Sequence, residues 1–329
     1  MKQNRQTKKA IVIGGGAWGA AIASCLTLND QLDTSVLVRA QHTADALSKG
    51  LVPRLDNAPL PHPLRASLAE DILSDADAIY LVLPAGASIQ ALAMIEAKAP
   101  ADCPVILCAK GLIEDDKKGG LFLTDYMKQA YPARPFALLS GPSFADEILK
   151  GLPAALVAAS ENSALADSII ADFAPSHLRL YKGHDPIGVA IGGAVKNVIA
   201  LAAGISFGLG LGDNAKAALI TRGLSETARL IEALGGHPKT ISGLAGIGDL
   251  TLSAAGPHSR NMAYGLALGQ GKPVPDALSE GARSAPLLAR RAEAEGLDMP
   301  IVKAVTKALD GADLQTIISD LLARPSVEE

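Results

Sequence analysis

Residues 9–19 read KAIVIGGGAWG, and this stretch decides the fold. Its β-branched first half predicts a buried parallel strand, and the apolar residues that follow predict a helix. Gly14, Gly16 and Gly19 have the spacing of a dinucleotide-binding turn, in which the first glycine permits the tight turn, the second admits a pyrophosphate and the third lets helix and strand pack closely. Free N–H groups at the helix start would bind the phosphates. The alternative is a purely structural glycine turn.

Arg39 ends the second predicted strand, residues 35–39. This position lies about twenty residues beyond Gly19, where NAD-specific folds often carry Asp or Glu for the ribose hydroxyls. An arginine can instead pair with a 2′-phosphate, and a hydrogen bond to a charged group is worth roughly 1.5–3 kcal/mol. Arg39 therefore favours NADP by about tenfold or more. The alternative is a solvated surface arginine.

Strands and helices alternate over the first half of the chain. The predicted strands beyond residue 39 are 78–83, 105–109, 136–139, 154–159 and 178–181. Ser67 and Glu70 have the spacing of a capping box that opens a short helix. From Ile187 onward only helices are predicted, including one that Asp213 and Asn214 would cap. We therefore expect an α/β Rossmann-like dinucleotide-binding domain over residues 1–186, followed by an all-helical domain over residues 187–329.

Two candidate site segments follow predicted strands. Lys110 comes directly after the strand 105–109, and Gly141 and Ser143 lie in the turn after the strand 136–139. Open α/β sheets bind their ligands beyond the carboxyl ends of the strands, so both segments are expected at such an edge. The alternative for Lys110 is a solvated surface lysine.

Lys196 lies in the apolar run GGAVKNVIA, residues 192–200. Removing an ammonium group from water is costly, so a lysine in such a helix either extends its charged end to water or has a chemical function. Gly192 and Gly193 stand one helical turn before it and would let a ligand or another backbone approach closely. An ordinary core helix whose lysine reaches solvent is the alternative to an active-site base.

The second half holds two further candidate segments. Residues 243–250 form a glycine-rich stretch, predicted to be non-helical, that delivers one carboxylate, Asp249. Ser259, Arg260 and Asn261 stand at a predicted helix start, where a hydroxyl, a guanidinium fork and an amide suit an anion. A plain helix cap followed by surface polar residues is the alternative.

Composition excludes several classes of function. With 49% hydrophobic and 19% charged residues the 329-residue chain is globular, and its net charge of −4 with few aromatic residues disfavours nucleic acid as a partner. The three cysteines, an odd number in apolar surroundings, suit a reducing cytosol. The most membrane-like segment, 198–212, is shorter than the ~20 residues that a span needs. We expect a cytoplasmic protein without a membrane span, and a zinc site is disfavoured because no short ligand cluster occurs.

Taken together, these motifs resemble the soluble NAD(P)-dependent glycerol-3-phosphate dehydrogenase family of bacteria. The segments that carry the resemblance follow the family's order and spacing over nearly the whole chain: 14–19, 108–111, 140–145, 192–197, 246–250 and 259–261. The resemblance implies reversible reduction of dihydroxyacetone phosphate to sn-glycerol 3-phosphate, which feeds phospholipid synthesis. The partners expected are this small substrate and, in a homodimer, a second copy of the chain.

The resemblance also implies roles for single residues. Lys196 matches the family's proton-exchanging lysine, and we expect Asp249 to orient it. Substrate-contacting positions are Lys110, Gly141, Ser143, Lys196, Asp249, Ser259, Arg260 and Asn261. Beyond the glycines Gly14, Gly16 and Gly19, cofactor-contacting positions are Trp18, Arg39, Lys110, Ala145, Arg260, Leu278 and Glu280. NADP(H) is the expected cofactor, with NAD(H) as a second possibility and no metal.

Two rival functions are compatible with a dinucleotide-binding fold. One is a dehydrogenase of similar architecture that acts on a β-hydroxyacid or phosphogluconate, which requires a carboxylate clamp and a differently placed lysine. The other is a catalytically silent NADP-binding protein. The second rival is disfavoured by the combination of Lys196, Asp249, Arg260 and Asn261. A panel of substrates would distinguish the first rival from a glycerol-3-phosphate dehydrogenase.

Overall fold

The computed structural model describes residues 7–256, 258–275 and 279–323. The chain divides into two compact units. The sheet unit comprises Met1–Lys110 and Leu123–Pro186, and the helical unit comprises Gly111–Phe122 and Ile187–Glu329. Each unit has its own cluster of buried hydrophobic side chains. The predicted fold class, a Rossmann-like α/β domain followed by a helical domain, is confirmed.

Twelve strands lie in the described part of the chain. They are β1 (Lys8–Ile13), β2 (Leu32–Leu37), β3 (Leu51–Val52), β4 (Ala58–Pro59), β5 (Ala66–Ser67), β6 (Ala78–Leu81), β7 (Val105–Leu107), β8 (Leu112–Asp115), β9 (Gly119–Phe122), β10 (Phe136–Ser140), β11 (Ala154–Ala159) and β12 (Leu178–Gly183).

Thirteen helices lie in the same described residues. They are α1 (Ala17–Leu26), α2 (Gln41–Ser48), α3 (Ala85–Lys98), α4 (Leu123–Ala130), α5 (Ala145–Leu149), α6 (Ser163–Phe173), α7 (Pro186–Gly208), α8 (Gly212–Ala233), α9 (Asp249–Ala254), α10 (Arg260–Gly269), α11 (Glu280–Ala294), α12 (Pro300–Leu309) and α13 (Leu314–Leu322). Shorter 3₁₀ turns cover Pro53–Leu55, Glu70–Leu73 and Pro238–Ser242.

Eight strands form one sheet in the order β12-β11-β10-β7-β6-β1-β2-β5. The six strands from β10 to β5 are parallel, and β11 runs antiparallel to β10. Ile13 at the end of β1 pairs with Leu37 on one side and Leu81 on the other. The strand order reverses between β1 and β6, which is where sheets of this kind bind a dinucleotide.

A buried polar network lies inside the sheet unit. The hydroxyl of Tyr80, on β6, donates to Asp172 at 2.6 Å, and the ammonium of Lys8 donates to the same carboxylate at 2.7 Å. Asp172 is 4% exposed, so its charge is compensated by partners rather than by water. Burial and the Asp172 charge raise the pKa of Tyr80 well above its usual value, so its hydroxyl stays protonated.

The helix start predicted at Ser67 is wrong. Ser67 ends β5, and its hydroxyl accepts from the backbone N–H of Ala69 at 3.0 Å rather than from that of Glu70. Residues Glu70–Leu73 form one 3₁₀ turn. A serine hydroxyl can accept from the N–H two residues later, in a local turn, or from the N–H three residues later, in a capping box. Here Ser67 is paired with β2 as the last residue of β5, and the local turn forms.

Residues 111–122 were assigned by sequence to the first domain, but they pack in the helical unit. They form the hairpin β8–β9, whose Leu112 and Phe122 belong to the buried core of that unit. The buried guanidinium of Arg291, on α11, donates to the carbonyl of Gly120 at 3.0 Å. This hairpin, with its buried Leu112 and Phe122 and its bond from Arg291 to Gly120 of β9, therefore packs on α11, although the strands before and after it belong to the sheet unit.

Helix α7 is the apolar centre of the helical unit. It is the one helix in the described residues that is long and apolar enough to cross a membrane, and 83% of its most apolar window is buried inside the structure. Gly204 and Gly208 of α7 face Gly265 and Gly269 of α10, and a Cβ atom at any of these four positions would meet backbone of the other helix. Glycine here lets two helix backbones approach closely.

The predicted cap of α8 is also wrong. The helix begins at Gly212, after Leu211, and no side chain caps it. Asp213 lies in the first turn and pairs with Lys216 at 2.7 Å. Its charge still suits the positive end of the helix, although it satisfies no free N–H group there.

Candidate active site

The glycine turn has the geometry that a bound pyrophosphate requires. Gly14 has φ of 121°, and a Cβ atom there would collide with the carbonyl oxygen of Val82. A Cβ atom at Gly19 would collide with the carbonyl oxygen of Gly14, so helix and turn are in direct backbone contact. At Gly16 a Cβ atom would meet nothing within 4 Å. The turn is therefore closed at its first and third glycines and open at the second, which fits a dinucleotide.

Three further residues of the sheet unit that are expected to contact a cofactor lie at or just before helix starts. Trp18 is the second residue of α1, and Ala145 is the first residue of α5. Arg39 is exposed and follows β2, just before α2 begins without a side-chain cap. An exposed guanidinium beside an uncapped helix start is chemically suited to a phosphate.

Two of the expected cofactor positions fall in the last third of the chain. Leu278 lies outside the described residues. Glu280 is the first residue of α11 and is partly buried. Burial raises the pKa of the Glu280 carboxyl, and the positive charges of Arg283 and Arg260 oppose that rise.

Lys110, Gly141 and Ser143 lie together in the sheet unit. The ammonium of Lys110 donates to the carbonyl of Gly141 at 3.0 Å, and the hydroxyl of Ser143 donates to the same carbonyl at 3.1 Å. Gly141 has φ of 145°, a region that favours glycine, and a Cβ atom there would lie 3.0 Å from the carbonyl oxygen of Ala155. The alternative for Lys110, a solvated surface lysine, does not describe this partly buried and bonded side chain.

Lys196 is held inside the helical unit. Its ammonium donates to Oδ1 of Asp249 at 3.0 Å and to the hydroxyl of Ser253 at 2.7 Å. The side chains of Lys196 and Asp249 are 11% and 2% exposed. The alternative of a lysine that extends to bulk water is therefore wrong, because the charge of Lys196 is met by buried partners.

The stretch before Asp249 is only partly helical, and the non-helical backbone that its glycines predict occurs at Gly246, where φ is −102° and ψ is −106°. Leu244–Gly248 form a widened helical turn, and Asp249 begins α9. A Cβ atom at Gly192 would lie 2.9 Å from the carbonyl oxygen of Ala245, so this glycine lets the turn approach α7. The glycines beside Lys196 were expected to admit either a ligand or another backbone. At Gly192 the structure shows the close approach of another backbone.

Ser253 is a partner of Lys196 that the sequence did not predict. It lies on α9, four residues after Asp249, and is 3% exposed. Residues at this spacing share one face of a helix, so the hydroxyl lies beside the carboxylate. The four-residue spacing between Asp249 and Ser253 could have indicated this contact. The spacing is informative only when the residues between them are helical.

Asn261 forms the centre of a buried amide network. Its Nδ2 donates to Oδ1 of Asn197 at 2.8 Å, and its Oδ1 accepts from the hydroxyl of Ser279 and from the backbone N–H of Gly281, each at 2.9 Å. Asn197, next to Lys196 in the sequence, is a second residue that sequence reasoning missed. The predicted phosphate anchor Asn261 thus has internal partners as well as its expected position at the start of α10.

Ser259 and Arg260 complete the predicted anion segment. The hydroxyl of Ser259 caps α10 by accepting from the backbone N–H of Met262 at 3.5 Å. Arg260 is the first residue of α10 and is exposed. Ser259 therefore serves as a helix cap, and its hydroxyl hydrogen is still available to donate to a ligand.

Comparison with known proteins gives full-length matches. Residues 9–166 match the model of the NAD-dependent glycerol-3-phosphate dehydrogenase N-terminus, and residues 185–319 match that of the C-terminus. The glycerol-3-phosphate dehydrogenase [NAD(P)+] of Agrobacterium fabrum is 39% identical, over 98% of this chain and 100% of that protein. The protein of the same name from Mesorhizobium japonicum is 41% identical, over 96% of this chain and 92% of that protein.

A solved structure agrees with these relatives. The glycerol-3-phosphate dehydrogenase of Coxiella burnetii matches with a TM-score of 0.89 and 34% sequence identity, over 97% of this chain and 99% of that one. The N-terminal model covers the glycine turn, and the C-terminal model covers the Lys196–Asp249 pair and the amide network. The chain therefore belongs to the NAD-dependent glycerol-3-phosphate dehydrogenase family.

Proposed function

We propose that Lys196 is the proton donor and acceptor of this family's reaction, the reversible NAD(P)H-dependent reduction of dihydroxyacetone phosphate to sn-glycerol 3-phosphate. The observation that carries this role is the ammonium of Lys196, which is 11% exposed and bonded to Asp249 and Ser253. In this role the chain supplies sn-glycerol 3-phosphate for glycerophospholipid synthesis.

The protein has one proton and one developing negative charge to manage. The nicotinamide, when bound, supplies or removes the hydride. During reduction the ammonium of Lys196 donates a hydrogen bond to the substrate carbonyl oxygen and then gives it a proton. In the oxidative direction neutral Lys196 accepts the hydroxyl proton. Asp249 and Ser253 fix the position of Nζ, which reduces the motion needed to reach a productive geometry.

The substrate phosphate is bound by donor groups. Arg260 supplies an exposed guanidinium, Ser259 a hydroxyl hydrogen and Asn261 the second hydrogen of its amide nitrogen. Lys110, Gly141 and Ser143 are further substrate-contacting positions. Binding of a phosphate that does not react positions the carbonyl at the reacting centre, and binding energy of this kind is used for orientation.

The cofactor is held by the glycine turn and by side chains at element starts. Gly14, Gly16 and Gly19 form the turn for the pyrophosphate, which the open space at Gly16 supports. Arg39 binds the 2′-phosphate, so NADP(H) is favoured over NAD(H). The further contacts are Trp18, Lys110, Ala145, Arg260, Leu278 and Glu280.

We extend the proposal to the location and the partners of the enzyme. The chain acts in the cytoplasm, as its three buried cysteines suggest. It acts on a small molecule without nucleic acid as a partner, and it forms a homodimer.

An absorbance assay tests the function. Purified protein is mixed with dihydroxyacetone phosphate and either NADPH or NADH, and oxidation is followed by the loss of reduced nicotinamide. We expect turnover with both and greater kcat/KM with NADPH. Absence of turnover with both cofactors would refute the activity, and equal kcat/KM values would refute the role of Arg39 alone. The same assay with a panel of β-hydroxyacids and phosphogluconate distinguishes the proposed activity from that of the rival dehydrogenase.

A further inference from the structure

The amide of Asn261 is held in one orientation. Its Oδ1 accepts two hydrogen bonds, from the hydroxyl of Ser279 and the backbone N–H of Gly281, both at 2.9 Å. Two bonds use the full acceptor capacity of a carbonyl oxygen. Its Nδ2 uses one of two hydrogens in the bond to Asn197. The remaining capacity of Asn261 is therefore one donor and no acceptor.

Rotation of this amide by half a turn would be unfavourable. The Nδ2 group would then face two other donors, and its Oδ1 would face the oxygen of Asn197. Asn261 is 8% exposed and Ser279 is 4% exposed, so water could satisfy little of the lost bonding. Since Gly281 supplies its donor from the backbone, Ser279 is the only side chain that donates to Oδ1 of Asn261 in the described residues.

We propose that Ser279 is a positioning residue for substrate phosphate, because it fixes Asn261 so that its free group is a donor. The inference rests on the proposed role of Asn261 as a phosphate anchor. A phosphate accepts hydrogen bonds, so an Asn261 that presents its oxygen would repel it. Together with the backbone N–H of Gly281, Ser279 makes this part of the site selective for an anion without touching the substrate itself.

Ser279 has a second role that the test must separate. Its oxygen caps α11 by accepting from the backbone N–H of Ala282 at 3.2 Å. A Ser279→Ala variant loses both the cap and the donor, whereas Ser279→Thr keeps both. Asp313→Ala supplies a matched control, because Asp313 caps α13 in the same unit by accepting from Thr316 at 2.8 Å and lies outside the proposed site.

The experiment compares a substrate with and without phosphate. For Ser279→Ala, kcat/KM for dihydroxyacetone phosphate falls roughly three- to tenfold, which is the range expected for one buried hydrogen bond. For dihydroxyacetone, measured at high concentration, kcat/KM stays within about twofold of the wild-type value because no phosphate is present. In Ser279→Thr and in Asp313→Ala, kcat/KM stays near the wild-type value with both substrates.

Two outcomes would overturn the proposal. A loss of similar size with both substrates would show that Ser279 acts through the structure of α11 alone, and no loss with either would show that it has no effect on the site. Asn261→Asp separates this failure from failure of the proposed function. If Asn261→Asp keeps the wild-type preference for the phosphorylated substrate, then Asn261 is not an anchor. If only Asn261→Asp loses that preference, the role of Ser279 alone is refuted.

Discussion

The ammonium nitrogen of Lys196 lies 3.0 Å from Oδ1 of Asp249, and both side chains are largely shielded from solvent. Removing one partner of such a pair leaves an uncompensated charge in a place that water barely reaches, which commonly costs about 3–5 kcal/mol. The hydroxyl of Ser253 adds a second bond to the ammonium. These two bonds hold the ammonium group of Lys196 in one position, as a proton donor to a carbonyl requires.

Asp249→Asn should lower kcat and leave NADPH binding unchanged. The amide keeps the shape of the carboxylate but not its charge, and a hydrogen bond to a charged group is worth roughly 1.5–3 kcal/mol, so kcat should fall about 10- to 100-fold. Steady-state kinetics with saturating NADPH measure this loss. Asp213→Asn, which removes the exposed carboxylate that pairs with Lys216, is the control, and its kcat should stay within about twofold of the wild-type value. A wild-type kcat in Asp249→Asn would contradict the orienting role.

Gly192→Ala should lower both stability and turnover. The new Cβ atom would lie 2.9 Å from the carbonyl oxygen of Ala245, so the turn before Asp249 must move. Overpacking of this kind costs roughly 1–3 kcal/mol, which thermal or denaturant unfolding measures. Gly256→Ala is the control, because a Cβ atom there meets nothing within 4 Å. Unchanged turnover in a destabilised Gly192→Ala variant would show that the position of this turn is not needed for catalysis.

Arg39→Gln should weaken NADPH binding and spare NADH binding. Loss of a charged hydrogen bond to the 2′-phosphate should raise the Kd of NADPH by about tenfold or more, whereas the Kd of NADH should change less than about twofold. Fluorescence of the single tryptophan, Trp18, gives an equilibrium titration without turnover. Arg65→Gln, which removes an exposed ion pair with Asp33 in the same unit, is the control. An equal effect on both cofactors would contradict the assignment.

Glu226→Gln should stabilise the protein at alkaline pH. Glu226 is 4% exposed and accepts from the backbone N–H of Ile301 at 2.8 Å, and burial raises the pKa of its carboxyl to about 7. Because this folded-state pKa lies above the unfolded value, the folded state binds more protons between about pH 4.5 and pH 7. The contribution of Glu226 to stability is therefore lost as pH rises through this window.

The measurement for Glu226 is the free energy of unfolding as a function of pH. Glutamine can still accept from Ile301 but cannot ionise, so Glu226→Gln should exceed the wild type by roughly 1–3 kcal/mol at pH 8. The difference between the two proteins should shrink as pH falls toward 5. Glu232→Gln, on the same helix but exposed, is the control. A difference that does not depend on pH would contradict the account.

Much of the fold could be predicted from local patterns. The strand, glycine turn and helix of residues 9–26 are a contiguous signal, and the change from alternating elements to helices near residue 187 is visible in composition. The hairpin 111–122 could not be assigned to its unit in this way. Its packing depends on Leu112, Phe122 and the bond from Arg291 to Gly120, which joins residues 171 positions apart in the sequence.

The candidate site was predicted as separate residues rather than as a set of contacts. Lys196 and Asp249 were paired by their chemistry, and the structure places them in direct contact. The amide network was not predictable, because the bond from Asn261 to Ser279 requires that α10 and α11 be packed together. Side chains such as Ser253 and Ser279 have no distinctive local pattern, so their roles follow only from three-dimensional neighbours.

The most direct test of the account is the turnover of Lys196→Ala with dihydroxyacetone phosphate and saturating NADPH. Loss of a general acid–base group should reduce kcat by about 10²- to 10⁴-fold, while the Kd of NADPH stays within about twofold of the wild-type value. Lys216→Ala, which removes another partly buried lysine of the helical unit, should retain full turnover. Wild-type turnover in Lys196→Ala would contradict the central role assigned to this lysine.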